Sequence, residues 1–475
     1  MLFNSINFLL FLPVVFAIYW YLNNRNFQLQ NIFLLLASYF FYAFWNWHFL
    51  FLLIFSTALD YFTGIKMHNA KSVIHKKIWF WLSISINLGF LGIFKYYNFF
   101  ANSFAIALEK LGFHASFFTL EVILPVGISF YTFHGLSYVI DIYKNRIEPE
   151  HNIISYSLFV SYFPLLVAGP IERATHLLPQ IKKQRIFNYN LAIQGVKQII
   201  WGLFKKVVIA DNCAFFVDQI FQNSGSHSAS ELWVGMFLFS FQIYGDFSGY
   251  SDIALGTSKL FGIDLLRNFN FPYFAKDIAD FWRRWHISLS SWFRDYVYIP
   301  LGGSQGSKLF QIRNVFVIFL LSGFWHGANW TFIFWGLLHA LLFIPLLIFN
   351  KNRNSLHNLD YNFKSYIRIL STFILVSFAW IFFRADTISE AFNYIFKMFN
   401  FNDLTLKYFY KNAKYALLTA ICLVSILFLI YIEWKNVIKG NKEIQLSKNT
   451  IFIILFLLFC MGTYRNQISF IYFQF

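Results

Sequence analysis

One histidine stands inside the most apolar part of this chain. The decapeptide Leu321-Ser-Gly-Phe-Trp-His326-Gly-Ala-Asn-Trp330 lies within an aromatic stretch covering 315–349, and hydrocarbon penalises a titratable ring that has neither a purpose nor a partner. An imidazole there can take a proton from a hydroxyl or thiol near neutral pH and return it to a leaving group. Gly323 and Gly327 permit close backbone approach, while Trp325 and Trp330 can wall a narrow polar cavity. The competing reading is a histidine hydrogen-bonded across helices. His286 comes about 40 residues earlier and cannot share the same helix, so any pairing of the two must be tertiary; it either polarises an acyl group or caps its own helix. On a straight helix His326 and His339 would stand about 20 Å apart. They act on one bond only if that segment is broken.

Further polar groups surround these histidines in sequence. Gln242-Ile-Tyr244-Gly-Asp246-Phe-Ser248-Gly-Tyr250-Ser-Asp252 concentrates hydroxyls and two carboxylates beside an apolar run. Within a membrane Asp246 needs a cation or donors, and Arg283 or Arg284 are the expected partners; a structural salt bridge and a catalytic carboxylate both fit. Lys205-Lys206 is expected to snorkel from a helix end rather than to meet an anionic donor. Asp60, His134 and His339 read as buried pairs or pathway lining. Cys213, Cys422 and Cys460 lack metal or disulfide spacing and read as packing residues. No phosphate-binding glycine loop, dinucleotide fingerprint, zinc-protease pattern or nucleophile elbow occurs, and no feature calls for a bound cofactor or metal.

The elements that must position these groups are membrane helices. With 58% hydrophobic residues, 66 Phe, 27 Tyr and 15 Trp against 13% charged residues, the chain holds far more apolar side chain than a soluble core requires. Apolar runs occur at 3–22, 29–46, 47–65, 78–100, 118–140, 153–171, 191–210, 232–250, 312–330, 331–349, 367–383, 416–433 and 449–468. At roughly 20 residues per crossing they predict an all-α polytopic protein of about 11–13 hydrophobic segments. The first run has no basic residues before it and reads as a retained span, not a signal peptide. The net charge of +16 is spread over short loops such as 66–77, 182–185, 351–368 and 435–448. This pattern fits cytosolic ends facing anionic lipid and leaves no basic face for nucleic acid. Basic residues flank the 153–171 run on both sides, near Arg146 and over 173–185, so one neighbouring segment is expected to be re-entrant.

No linker or repeat divides 1–475, which reads as one domain. Its exception is the region about 260–307, where polarity rises. Read as one helix, Phe281-Trp-Arg-Arg-Trp-His286-Ile-Ser-Leu-Ser-Ser-Trp292-Phe-Arg294 puts Trp282, Trp285, Leu289 and Trp292 on one stripe and Arg283, His286, Ser290 and Arg294 on the other. Such a helix would lie at the interface or dip into the protein. Pro300 and Gly302-Gly303 would end it.

Asp280-Phe-Trp-Arg-Arg-Trp-His286-Ile-Ser-Leu-Ser290 and Leu321-Ser-Gly-Phe-Trp-His326-Gly together resemble the signatures of the membrane-bound O-acyltransferase family, most closely its bacterial alginate O-acetylase and D-alanyl transfer branch. Leu124-Pro-Val-Gly-Ile-Ser-Phe-Tyr-Thr-Phe133, Ala168-Gly-Pro-Ile171, Tyr244-Gly-Asp-Phe-Ser-Gly-Tyr250 and Arg294-Asp-Tyr-Val-Tyr-Ile-Pro-Leu-Gly-Gly-Ser304 add to the likeness, which covers roughly 1–470. The resemblance implies a ring of tilted helices around a central funnel, His326 as the essential catalytic residue and His286 lining the same tunnel. It also implies a donor on the cytoplasmic side, acetyl-CoA or an acyl-carrier thioester, and a polysaccharide acceptor served through a periplasmic acetylesterase-like partner protein. His326 would be the general base toward the acceptor hydroxyl, with His286 or Asn329 steadying oxygen charge; Trp325, Arg283, Arg284, Asp246, Tyr244 and Ser290 are the supporting candidates. Two rival classes fit the composition: a transporter, which would move its substrate unchanged, and a silent scaffold, which would tolerate loss of His326.

Overall fold

In the computed structural model the structure describes residues 1–23, 26–113, 123–167, 169–353, 361–441, 443–463 and 470–471. The start of the 118–140 run, Ala168 of the Ala-Gly-Pro-Ile motif, part of the 351–368 loop, Lys442 and the end of the 449–468 run lie outside them. The described residues form helices and no strand. Six helical segments are long and apolar enough to cross a membrane: His48–His68, Val73–Lys110, Lys308–His326, Trp330–Ile348, Phe363–Arg384 and Ala413–Ile438. Ile6–Leu22, Phe27–Ala43 and Lys448–Met461 are shorter apolar helices. The remaining apolar runs belong to helices of another kind. Ile128–Tyr143 is buried along nearly its whole length, and an all-round buried helix is apolar for the same reason as a lipid-facing one. The 153–171 run is two short helices, Ile153–Ser161 and Phe163–Leu166, neither of which reaches the length of a crossing.

The chain forms two compact units. The first comprises Met1–Val196 with Ala254–Leu266. Two of its buried polar groups find partners within the unit: Asp60 accepts hydrogen bonds from Ser83 Oγ at 2.6 Å and Asn87 Nδ2 at 2.8 Å, and His134 Nε2 accepts from the Glu172 backbone N–H at 3.1 Å. Both therefore behave as the buried pairs read from the sequence. The Glu172 carboxylate in turn meets His176 Nδ1 at 2.8 Å.

The second unit comprises Lys197–Ile253 and Arg267–Phe475 and holds every candidate site residue. Its centre is a helical hairpin. Lys308–His326 and Trp330–Ile348 run antiparallel, with Lys308 Nζ on the Leu347 carbonyl at one end and Gly323 against Phe332 at the other. Glycine is required at this crossing: a Cβ on Gly323 would stand 2.3 Å from the Phe332 carbonyl oxygen, and one on Gly336 would stand 2.3 Å from that of Phe319. The hairpin turns at Gly327–Asn329, where Asn329 caps the second helix by accepting from Thr331 N at 3.1 Å. The break in the segment holding His326 and His339 is thus real. Cys213 and Cys422 are buried packing residues in this unit, whereas Cys460 is exposed on the apolar helix Lys448–Met461.

Candidate active site

His326 is the last residue of its helix and is 2% exposed. Its ring is enclosed edge-to-face by Trp325 (centroids 4.9 Å), Trp335 (5.0 Å) and Phe383 (5.3 Å). Trp325 also lies against His286, at 5.8 Å. One indole therefore lies against both imidazoles, although about 40 residues separate them in sequence. The long apolar run around His326 hid the close partners Trp335 and Phe383; a turn signal at Gly327-Ala-Asn329 was the only clue that the following helix folds back.

His286 corrects the single-helix reading of the middle region. Ile278–Arg284 and Ile287–Phe293 are separate helices, with Trp285 extended and His286 left-handed at φ 42°. A neighbouring stretch at 268–270, running antiparallel to 284–287, supplies hydrogen bonds that a continuous helix would have made. Asn270 N donates to the Arg284 carbonyl at 2.9 Å, and Ile287 N donates to the Asn268 carbonyl at 2.9 Å. Asn268 Oδ1 accepts from Ser288 Oγ at 2.5 Å and faces His286 Nδ1 at 3.3 Å. Because an amide oxygen only accepts, the Nδ1 proton points at it and Nε2 is left as an acceptor. His286 Nε2 meets no hydrogen-bond partner among the described residues. Periodicity cannot foresee this break, since its cause is a tertiary strand of chain about 18 residues upstream. The turn after the second helix matches its sequence, with Gly302 and Gly303 at positive φ.

The other candidates divide between the site and its supports. Ser290, whose N–H donates to the His286 carbonyl at 3.0 Å, lines a pocket of about 270 Å³ together with Trp282, Phe319 and Ser322. Asn329 uses both ends of its amide elsewhere: beyond the cap, Nδ2 donates to the Asp386 carbonyl at 2.9 Å. Arg283 and Arg284 do not reach Asp246, which corrects that expectation. Arg284 pairs with Asp280 at 3.0 Å within its own helix, and Arg283 lies 4.0 Å from Asp277 and donates to the Asn352 carbonyl at 2.9 Å.

The cation that meets Asp246 is Lys206, at 2.8 Å, and Lys206 also binds Asp211 at 2.7 Å. Lys205 pairs with Asp252 at 2.5 Å and donates to Ser248 Oγ at 2.8 Å. Both lysines are buried, so the snorkelling expectation is overturned. The physical reason is the π-helical segment Phe204–Ala210, whose wider turn changes which faces adjacent residues present. Tyr244, on the helix Ala229–Leu260, donates to Glu433 Oε1 at 2.6 Å and packs its ring 6.1 Å from Trp285. On the same helix Phe247 touches His286 at 4.7 Å. Asp246 and Tyr244 thus belong to the buried frame behind the histidines.

A site of this kind, two enclosed imidazoles beside an apolar pocket, can move a proton between two reactants while keeping water out. Comparison with known proteins agrees with that chemistry. The chain is 39% identical over 443 residues to a peptidoglycan O-acetyltransferase of Helicobacter pylori, covering 87% of this chain and 82% of that protein. It is 39% identical over 411 residues to a probable alginate O-acetylase of Pseudomonas aeruginosa, covering 86% and 76%. A teichoic acid D-alanyltransferase of Bacillus subtilis is 30% identical over 267 residues, covering 54% and 67%. The sequence pattern of the membrane-bound O-acyltransferase family matches residues 144–387, a span that contains both histidines and the helices bearing them. The chain therefore belongs to the membrane-bound O-acyltransferase family and is a multi-pass membrane acyltransferase.

Proposed function

We propose that this protein transfers acetyl groups from a thioester donor to hydroxyls of a cell-envelope polysaccharide, with His326 as the general base. Support for acetyl and for a polysaccharide comes from the relatives that share most of its length, named for peptidoglycan and for alginate. The observation that carries the role of His326 is its enclosure by Trp325, Trp335 and Phe383 one helical turn beyond Ser322 of the pocket. In this reaction His326 accepts the proton of the acceptor hydroxyl as the new C–O bond forms. The C–S bond then breaks, and the same proton passes to the departing thiolate, so an ester and a thiol leave the site in balance. His286, with Nε2 as an acceptor, receives a hydrogen bond from a neighbouring acceptor hydroxyl and fixes the sugar's orientation. The buried Trp335 N–H, which donates to nothing among the described residues, steadies charge on the carbonyl oxygen; Asn329, engaged as a cap, leaves that role to it.

The donor arrives from the cytoplasmic side of a bacterial inner membrane as acetyl-CoA or a carrier-borne thioester. The product leaves on the other side, either directly on the glycan or through an acetylesterase-like partner protein. The two compact units act in this as one acyltransferase domain. The test is thiol release by protein in lipid nanodiscs, supplied with either donor, with and without glycan acceptor. His326→Ala should lose acceptor-dependent release while keeping the wild-type melting curve; turnover retained by that variant would remove His326 from the chemistry.

A further inference from the structure

His339 and the half-buried Trp282 form a hydrogen-bonded pair that the reaction above does not use. The His339 ring is fully buried, stacked against Phe281 and Phe319 with centroids 6.2 Å from each and interplanar angles of 6° and 19°. Its Nδ1 accepts the Trp282 indole N–H at 3.3 Å. A hydrocarbon side chain at 339 would leave this bond unmade and free the half-buried indole to turn. The imidazole is clamped by its neighbours, so the hydrogen bond fixes the plane of Trp282.

That plane matters because Trp282 is a wall of the pocket. Two other lining residues tie the pocket to the chemistry: Ser290 is one turn after His286 and Ser322 one turn before His326. Behind Trp282 stands Trp335, 5.7 Å away edge-to-face, and Trp335 touches His326 at 5.0 Å. An acyl chain running from His326 into this pocket would meet Trp282. Leu289, Phe319 and Phe343 complete an apolar lining.

We propose that Trp282, oriented by His339, limits the length of the acyl chain that the site accepts, which makes Trp282 a specificity-determining residue and His339 a positioning residue. The proposal rests on the acyltransferase reading and deepens it. The ligand is the acyl end of a pantetheine thioester, whether that arm is part of coenzyme A or is carried on a protein. Each methylene a pocket admits or refuses changes selectivity by about 10- to 200-fold, so one displaced indole is enough to separate acetyl from longer groups.

The experiment measures binding first and turnover second, with the full-length protein in nanodiscs. S-ethyl, S-butyl and S-hexyl thioethers of coenzyme A, and the same groups on an acyl carrier protein, are titrated against wild type, Trp282→Ala, His339→Leu and His339→Asn. Wild type should bind the ethyl compound at least about tenfold more tightly than the hexyl, and Trp282→Ala should lose that preference. His339→Leu should shift the same way. His339→Asn, whose amide oxygen can take the place of Nδ1 as acceptor, should restore it, which a purely packing role for His339 would not do. Combining Trp282→Ala with His339→Leu should add nothing to Trp282→Ala alone. Equal binding of all lengths by wild type, an unchanged preference in Trp282→Ala, or no binding of either series overturns the proposal. Length-selective binding without any transfer of the matching acyl thioesters would instead defeat the acyltransferase chemistry and leave the selectivity standing. The carrier and coenzyme series show which source of the arm the site prefers.

Discussion

Adding one methyl group at the hairpin crossing should disable the site without touching a reacting group. In Gly323→Ala the new Cβ stands 2.3 Å from the Phe332 carbonyl oxygen and 3.1 Å from its carbonyl carbon. Ordinary contact begins near 3.4 Å, and the obstruction is backbone, so no rotamer change relieves it. The two helices must separate by about 1 Å at this level, and His326 is one turn away on the displaced helix. Overpacking of this kind costs about 1 to 3 kcal/mol. A displacement of about 1 Å in a group that must align with its substrate costs on the order of 100-fold in rate. Thiol release in nanodiscs, read beside thermal unfolding, should show kcat falling about 100-fold with the protein still folded. Gly336→Ala, with its Cβ 2.3 Å from the Phe319 carbonyl oxygen, parts the same helices, so the double variant should lose less than the product of the two effects. Gly89→Ala, whose Cβ meets nothing within 4 Å, is the control and should keep full rate. Wild-type kcat in Gly323→Ala would refute the reasoning that close helix approach sets the position of His326.

Two further outcomes concern the frame of the protein. Lys206→Met leaves Asp211 and Asp246 facing each other in a buried space without their shared cation, and should destabilise the protein by about 3 to 5 kcal/mol. Replacing both carboxylates by Asn in that background should recover much of the loss; a denaturant titration showing Lys206→Met as stable as wild type would rule out any net contribution from the pair. In the first unit the hydrogen bond that His176 donates to the Glu172 carboxylate raises the His176 pKa above its ordinary 6.5, against the opposing pull of partial burial. A folded value above the unfolded one means that the pair stabilises the protein fully below about pH 6.5 and loses that contribution as pH rises through the raised value. The difference in Tm between wild type and His176→Gln should therefore shrink across that window, and a difference independent of pH would contradict it.

The sequence showed membrane helices and two histidines well because both signals are local. Long apolar runs need no tertiary information, and an imidazole within one stands out by its cost. What escaped were features created by neighbours distant in the chain. The break at Trp285-His286 depends on hydrogen bonds that Asn268 accepts and Asn270 donates, and no periodicity records them. Lys206 finding Asp211 and Asp246 depends on a π-helical turn that apolar composition does not reveal. Burial was hidden for a related reason: Ile128–Tyr143 is covered by protein along nearly its whole length, and a hydropathy pattern cannot tell protein from lipid. Trp335 and Phe383 around His326 were invisible among so many aromatic residues, whereas the pairing of His286 with His326 had required only that the fold bring two helices together.

The hairpin also measures a distance. Lys308–His326 has 19 residues, about 27 Å from end to end at 1.5 Å per residue, close to the roughly 30 Å thickness of bilayer hydrocarbon. His326 therefore lies at the far end of a crossing whose near end is Lys308, and the pocket borders this helix from Val315 to Ser322 and draws in Ser304, Asn352 and Arg353 from beyond its near end. A donor entering at the Lys308 end must then span that length to bring its carbonyl to the imidazole. Reach is then a property of the cargo: an acyl group on a long tether arrives at the imidazole, and the same group on a short thiol stops well before it.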